Sequence, residues 1–216
     1  MDPRTFSVER LGIGDWPSTD GEDTQVISSA AWSECADPDL ATAVIEGPVC
    51  FAFDVTPDRS YASVCAAGKR PDGLWQVEVT ERKRGTGWVV EYLQERVEKH
   101  RPVAVICDGA GPAASLLTPL QQVDIEVTVV TAKEHAQACG NIFDAVEGKT
   151  LRHLDTPELA AAIKGAVPRP LGDAWAWSRK NSTIDISPLV GVTLALWGIS
   201  QGDGHSVYEE RGLVVL

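Results

Sequence analysis

The sequence predicts an α/β fold, a mixed five-stranded sheet of three antiparallel strands and then parallel ones, flanked by helices. Three observations predict it. Val49–Phe53 and Val103–Cys107 are continuous apolar runs, the mark of strands buried on both faces. Between them, Tyr61–Ala67 and the alternating Trp75, Val77 and Val79 are separated by short turns, as in an antiparallel meander. From Pro102 onward strand-like and helix-like segments alternate, an order that produces parallel pairing.

Residues 1–47 are rich in Asp, Ser, Thr and Gly, with only short apolar islands such as Val26-Ile27 and Ala30-Ala31-Trp32, and read as an extended arm or linker. The domain proper is expected over 48–216. Its first strand stops at Asp54, the second follows the loop Thr56–Arg59, and Lys69–Gly73 turns into the third. After the basic turn Arg82-Lys83-Arg84-Gly85, Trp88, Val89, Tyr92, Leu93 and Val97 share one helical face opposite Glu91, Glu95 and Glu98. Pro102 ends that helix. Asp108-Gly109-Ala110-Gly111-Pro112 breaks the fourth strand before a helix from about Ala113 to Gln121. A strand over Ile125–Val130 and a helix from about Ala132 repeat the unit. Pro157–Lys164 reads as helix and Trp175–Trp177 as a short strand. Ser187 as N-cap and Pro188 at the first helical position open a last helix, which is apolar all round and therefore buried.

Composition narrows the function. The chain has 19 Lys and Arg against 31 Asp and Glu, a net charge of −12 that opposes general attachment to nucleic acid or anionic membrane. Any nucleic-acid site must be a local basic patch. No run approaches a membrane span, and Met1-Asp2-Pro3-Arg4 lacks a signal-peptide pattern, so a non-secreted protein with no membrane partner is expected. The five cysteines form no Cys-x-x-Cys pair and sit mostly in apolar runs, as reduced core residues do.

Two central strands end in an acid, Asp54 and Asp108, and the carboxyl ends of neighbouring parallel strands are where ligands collect. Asp185, two residues before Ser187, can reach the same edge. Three converging carboxylates repel unless cations lie between them, and Mg²⁺ or Mn²⁺ suit such oxygen donors. Two ions about 4 Å apart stabilise both the attacking and the leaving oxygen of an in-line displacement at phosphorus. On that view, removing one Asp should leave the metal-free protein as stable as before, or more so. Each Asp also has a plainer reading, as a strand-end turn-former or, for Asp185, as a helix-dipole partner.

Several segments resemble the nuclease domain of tailed-phage terminase large subunits: Phe51-Ala52-Phe53-Asp54-Val55, Val105-Ile106-Cys107-Asp108-Gly109-Ala110-Gly111-Pro112, Gln137-Ala138-Cys139-Gly140, and above all Leu171–Arg179 with Asp185-Ile186-Ser187-Pro188-Leu189. The resemblance covers about residues 45 to 198. It implies a ribonuclease H-like fold and a metal-dependent endonuclease that cuts concatemeric double-stranded viral DNA at packaging in the host cytoplasm. By the same resemblance, Asp54, Asp108 and Asp185 are the catalytic, metal-holding acids. Two divalent ions are the cofactors, and the partners are DNA, a terminase ATPase domain, the small terminase subunit and the portal. Phe6–Gly12 resembles the segment that joins the packaging ATPase to the nuclease.

The departures are as informative. Gly148-Lys149-Thr150 lacks the earlier glycine of a phosphate loop, Phe143 standing in its place, so an isolated nuclease domain or a piece of a longer chain is expected. Ile184 precedes Asp185 where many relatives carry a second acid, which leaves a fourth ligand unassigned between Asp173 and Asp58. Arg179 and Lys180 are candidate phosphate contacts, as are Arg82, Lys83 and Arg84, although a solvated basic turn has the same composition. Three rival readings remain: a resolvase-like nuclease on the same fold, a non-catalytic docking module for the packaging machinery, and an actin-like ATPase. Thr56 weakens the last, standing where its phosphate turn has glycine.

Overall fold

β-structure begins where the polar N-terminal stretch ends. In the computed structural model, which describes residues 25–202, β1 (Val49–Val55), β2 (Tyr61–Lys69) and β3 (Trp75–Arg84) form the antiparallel meander. β4 (Ala104–Asp108) joins parallel to β1, and β5 (Thr128–Val130) parallel to β4. One correction concerns the strand number. The sheet has six strands in the order β5-β4-β1-β2-β3-β6, because β6 (Leu151–Arg152) pairs parallel with β3. Two residues carry no periodicity from which a strand can be read. A separate hairpin pairs β7 (Pro168–Leu171) with β8 (Ala174–Trp177), the latter being the expected Trp-Ala-Trp strand. Pro168 and Pro170 hide β7, since proline cannot donate to a ladder and is confined to such edges.

The helices are α1 (Ser29–Glu34), α2 (Val89–His100), α3 (Leu117–Gln121, entered through a 3-10 turn at Pro112–Leu116), α4 (Ala132–Glu147), α5 (Pro157–Gly165) and α6 (Ser187–Gly202). Strand alternation divides the core between two faces. Phe51, Phe53, Ala62, Val64 and Val105 pack toward α2 and α3, whereas Cys50, Ala52, Cys65, Ala67 and Ile106 pack toward α4 and α6. Helices thus cover both faces, as expected. α6 lies closest to the strands because Gly191 and Gly198, seven residues apart and so on one helical face, meet Cys65 and the Cys50–Ile106 pair with no side chain between. All five cysteines are buried and unbridged.

The segment expected to be an extended arm is not extended throughout. Residues 29–34 are helical, with Ser28 Oγ accepting the Ala31 N–H at 3.0 Å as N-cap. Trp32 is buried and stacks on His153, ring centroids 4.0 Å apart. Ala36 makes a parallel bridge to His153, the Asp37 N–H donates to the His153 carbonyl at 2.8 Å, and Asp37 pairs with Arg70. The burial of Trp32 against the domain is the reason: an apolar island in a polar stretch has a partner to find. Phe6–Gly12 and the tail beyond Gly202, with His205, lie outside the described residues. Among the described residues no helix is long and apolar enough to cross a membrane.

Candidate functional site

Asp54, next to last in β1, and Asp108, last in β4, stand at the carboxyl ends of neighbouring parallel strands on the α6 face of the sheet, and both are buried. Asp108 is fixed twice over. Its Oδ1 accepts the Ala110 N–H at 3.0 Å, a local Asx turn that starts the Gly109–Gly111 bend, so the turn-former reading is true of one oxygen. Its Oδ2 faces His135 Nδ1 at 3.1 Å. The His135 ring is buried in the first turn of α4, brought there by a capping box in which Thr131 Oγ1 accepts the Glu134 N–H and Glu134 accepts the Thr131 N–H.

Arg179 lies between the two acids. Its Nε and Nη2 donate to Asp54 Oδ2 and Oδ1 at 2.9 and 2.8 Å, a fork on one carboxylate, and its Nη1 donates to Asp108 Oδ2 at 2.8 Å. The Arg179 side chain is only 12% exposed, so these contacts are made largely out of water. The close approach uses Gly111, where a Cβ would stand 3.2 Å from Nη2. Burial pushes the Asp54 carboxyl up, with the Arg179 charge working against it. Burial also pushes Asp108 up, but the His135 hydrogen bond, Arg179 and the Ala110 N–H together outweigh it and hold Asp108 below the usual carboxylate range. Arg179 itself is held more firmly protonated, the two carboxylates overcoming its own desolvation.

Asp185 belongs to a second group on the same face. Asp54, Ser63 and Arg82 form one row across β1, β2 and β3, and Ser63 Oγ meets Ser187 Oγ at 2.8 Å. That contact brings the start of α6 over the row. Asp185 Oδ1 accepts the Ser187 N–H at 2.8 Å, and Oδ2 pairs with Arg82 Nε and Nη2 at 2.9 and 2.8 Å. The helix begins at Ser187 itself, so the capping carboxylate comes from Asp185 rather than from the serine. The three acids therefore share an edge but stand in two ion-paired groups. Among the described residues, no set of three or more His, Cys, Asp or Glu side chains is arranged to hold a metal ion.

The basic residues divide likewise. Arg179, expected on DNA phosphates, is turned inward onto the acids, because a buried carboxylate pair demands positive charge more strongly than solvent does. Arg82 is engaged with Asp185 and lies over the Tyr61 ring at 4.1 Å. Lys83 pairs with Glu81 at the surface, and Arg84 and Lys180 are exposed. Asp58 and Asp173, the candidates for a fourth ligand, sit in exposed turns. His135 is the residue that sequence reasoning missed; its signal is its position just after the Thr131–Glu134 box.

The donor chemistry suits a hard divalent cation. Asp54 and Asp108 offer buried oxygens that already require a cation beside them, at present the Arg179 guanidinium. Asp185 could join them only by leaving Arg82.

The fold matches those of solved large terminases. The HK97 bacteriophage large terminase superposes with a TM-score of 0.66 at 14% identity, over 81% of this chain and 43% of that one. The large terminase nuclease from thermophilic phage G20c, solved with bound cobalt, matches with a TM-score of 0.59 at 13% identity over 84% of this chain and 98% of its own. The same nuclease solved with bound magnesium matches at 12% identity with the same TM-score and coverage. At these identities the likeness is one of fold, the ribonuclease H-like mixed sheet of the terminase nuclease domain, and this chain spans less than half the length of the HK97 protein. No protein-family model matches the chain. No curated protein matches it either.

Proposed function

We propose that this chain is the nuclease domain of a tailed-phage terminase large subunit, a metal-dependent endonuclease that cuts concatemeric double-stranded viral DNA during packaging. One observation carries the reading: a buried carboxylate pair, Asp54 and Asp108, at the carboxyl ends of adjacent parallel strands, in a fold shared with nucleases solved with magnesium or cobalt. The catalytic unit is the domain from residue 48, with the preceding segment packed on it.

In this reading Asp54, Asp108 and Asp185 hold two Mg²⁺ or Mn²⁺ ions. When bound, such ions stabilise the charge that develops on the phosphorus oxygens of an in-line displacement. The chain's own residues do the remaining work. His135 and the Ala110 N–H hold the Asp108 carboxylate in one orientation. Ser187, through Ser63, keeps the start of α6 and therefore Asp185 at the row that contains Asp54. Lys180, Lys83 and Arg84, exposed at this edge, contact phosphates; Arg82 and Arg179 do so once they leave their carboxylates. None of these presents a helix that reads base edges, so cutting is expected to be sequence-independent and steeply inhibited by salt. The ATPase domain, the small subunit and the portal are the proposed partners, and the host cytoplasm the proposed location.

Nicking of supercoiled plasmid with Mn²⁺, Mg²⁺ or EDTA tests the proposal. Cleavage should require the metal and vanish in Asp54→Asn and Asp108→Asn. Metal-independent or absent cleavage would overturn it. Absence would favour the docking-module reading, which has one observation in its support: Arg179 already neutralises the acids.

A further inference from the structure

We propose that Arg179 is a resident counter-cation of the candidate site, which a divalent metal ion must displace from Asp54 and Asp108 before it can bind. The inference rests on the metal-dependent reading above and names the residue that controls metal entry.

Four observations carry it. Three of the guanidinium nitrogens are engaged on the two acids at 2.8–2.9 Å, so the carboxylate oxygens that would face a metal ion already accept from Arg179. Both acids are buried and cannot turn to solvent to accept a second cation elsewhere. The guanidinium fits close against Gly111, which gives it a defined seat rather than a chance surface contact. Finally, Arg179 lies in a turn whose backbone is tied independently of its side chain. The Ser178 N–H donates to Val167 at 2.8 Å, the Ser178 carbonyl accepts the Ser182 N–H at 3.1 Å, and Ser178 Oγ accepts the Asn181 N–H at 3.2 Å. The side chain can therefore swing outward without unfolding the loop, and its 12% exposure marks the way out.

Charge decides the competition. A guanidinium and a divalent ion on the same two carboxylates would repel at short range in a site largely closed to water, so the two occupancies exclude each other. The first metal ion to bind must then break three charge-assisted hydrogen bonds. The wild-type site should be a weak metal binder, and the freed guanidinium would reach the solvent edge where Lys180 already stands.

Mn²⁺ binding followed by electron paramagnetic resonance tests the proposal on the full chain, with wild type, Arg179→Gln, Arg179→Lys and an Asp54→Asn/Asp108→Asn control. Arg179→Gln should bind Mn²⁺ about tenfold more tightly or better, Arg179→Lys should fall between it and wild type, and the control should lose binding. Equal affinity of wild type and Arg179→Gln overturns displacement while leaving metal dependence standing. Absence of Mn²⁺ binding in every protein overturns the metal-dependent reading and displacement with it. Should Arg179→Gln fail to fold, the wild type still decides: Mg²⁺ should shift the Arg179 Nε–H resonance and speed its exchange with solvent. A resonance unmoved at Mg²⁺ concentrations that perturb Asp54 and Asp108 overturns the proposal.

Discussion

Asp54→Ala should destabilise the metal-free protein, the reverse of what three repelling carboxylates would do. The substitution removes both acceptors of the Arg179 fork and leaves a guanidinium that is 12% exposed with a single contact, to Asp108. Removing one partner of a buried ion pair costs about 3–5 kcal/mol. Two features pull the value toward the lower end: Arg179 keeps the Asp108 bond and can turn toward water, and Asp108 loses a like-charged neighbour. We therefore expect about 2–4 kcal/mol, a large share of the roughly 5–15 kcal/mol that holds a domain folded. With a urea m-value of about 2 kcal/mol/M, the unfolding midpoint should fall by on the order of 1–2 M in EDTA. Asp54→Asn, which keeps the shape and one acceptor, should fall by less. A double-mutant cycle with Arg179→Ala should return a coupling of about 1.5 kcal/mol or more. A midpoint that stays put or rises in Asp54→Ala would mean that Arg179 is not paired in solution, and the account of the site would fail with it.

Other expectations follow from the packing. Burial raises the Cys50, Cys107 and Cys139 thiols to about 12 and Cys65 well above its ordinary value, so none of the five cysteines should react with a disulfide reagent until the protein is denatured; one fast thiol in the native state would contradict this. Burial pushes His153 down and outweighs the opposing pull of the Trp32 carbonyl, to which the neutral ring donates from Nε2 while Nδ1 accepts the Asp155 N–H. Its contribution is complete above the unfolded value of 6.5 and is lost as pH falls below it, since the unfolded chain then takes up a proton that the fold refuses; the loss should reach at most about 1.4 kcal/mol per pH unit. Melting curves against pH should flatten in His153→Gln, and an unchanged slope would assign the effect elsewhere. Gly198→Ala should destabilise by about 1–3 kcal/mol although alanine favours helix by about 1 kcal/mol, because its Cβ would overlap Ile106 and Cys50; a raised melting temperature would show that the helix can shift away.

The parts of the fold that were legible in the sequence are those with a pattern of their own. Val49–Phe53 and Val103–Cys107 announce buried parallel strands because neither face needs polar residues, and Leu189–Trp197 announces a buried helix for the same reason. β6 and β7 fail on length and on proline, and Ile125–Val130 shrinks to three paired residues at the sheet edge. In the site, Asp54 and Asp108 were visible as acids that stop apolar runs. Arg179 was visible as a basic residue but not in its direction: its partners lie 125 and 71 positions away, and an Arg-Lys pair looks the same whether it faces solvent or a carboxylate. Asp185 matches both of its readings in type, and only the row through Ser63 and Arg82 brings out its bond to Arg82.

The bridge from Ala36 to His153 also determines where the domain can be cut. β6 is two residues long and would expose unpaired backbone on its outer side, but the chain at 35–37 runs beside it: the His153 N–H donates to the Cys35 carbonyl at 3.3 Å and Asp37 returns a bond to the His153 carbonyl. An uncovered strand of this kind recruits strands from other molecules. A fragment started at residue 48, where composition changes most sharply, would lose that cover together with Trp32 and leave the stacked face of His153 bare. Such a fragment should self-associate, whereas one started at residue 25 should not, so the boundary that matters for solubility lies some twenty residues before the one that composition suggests.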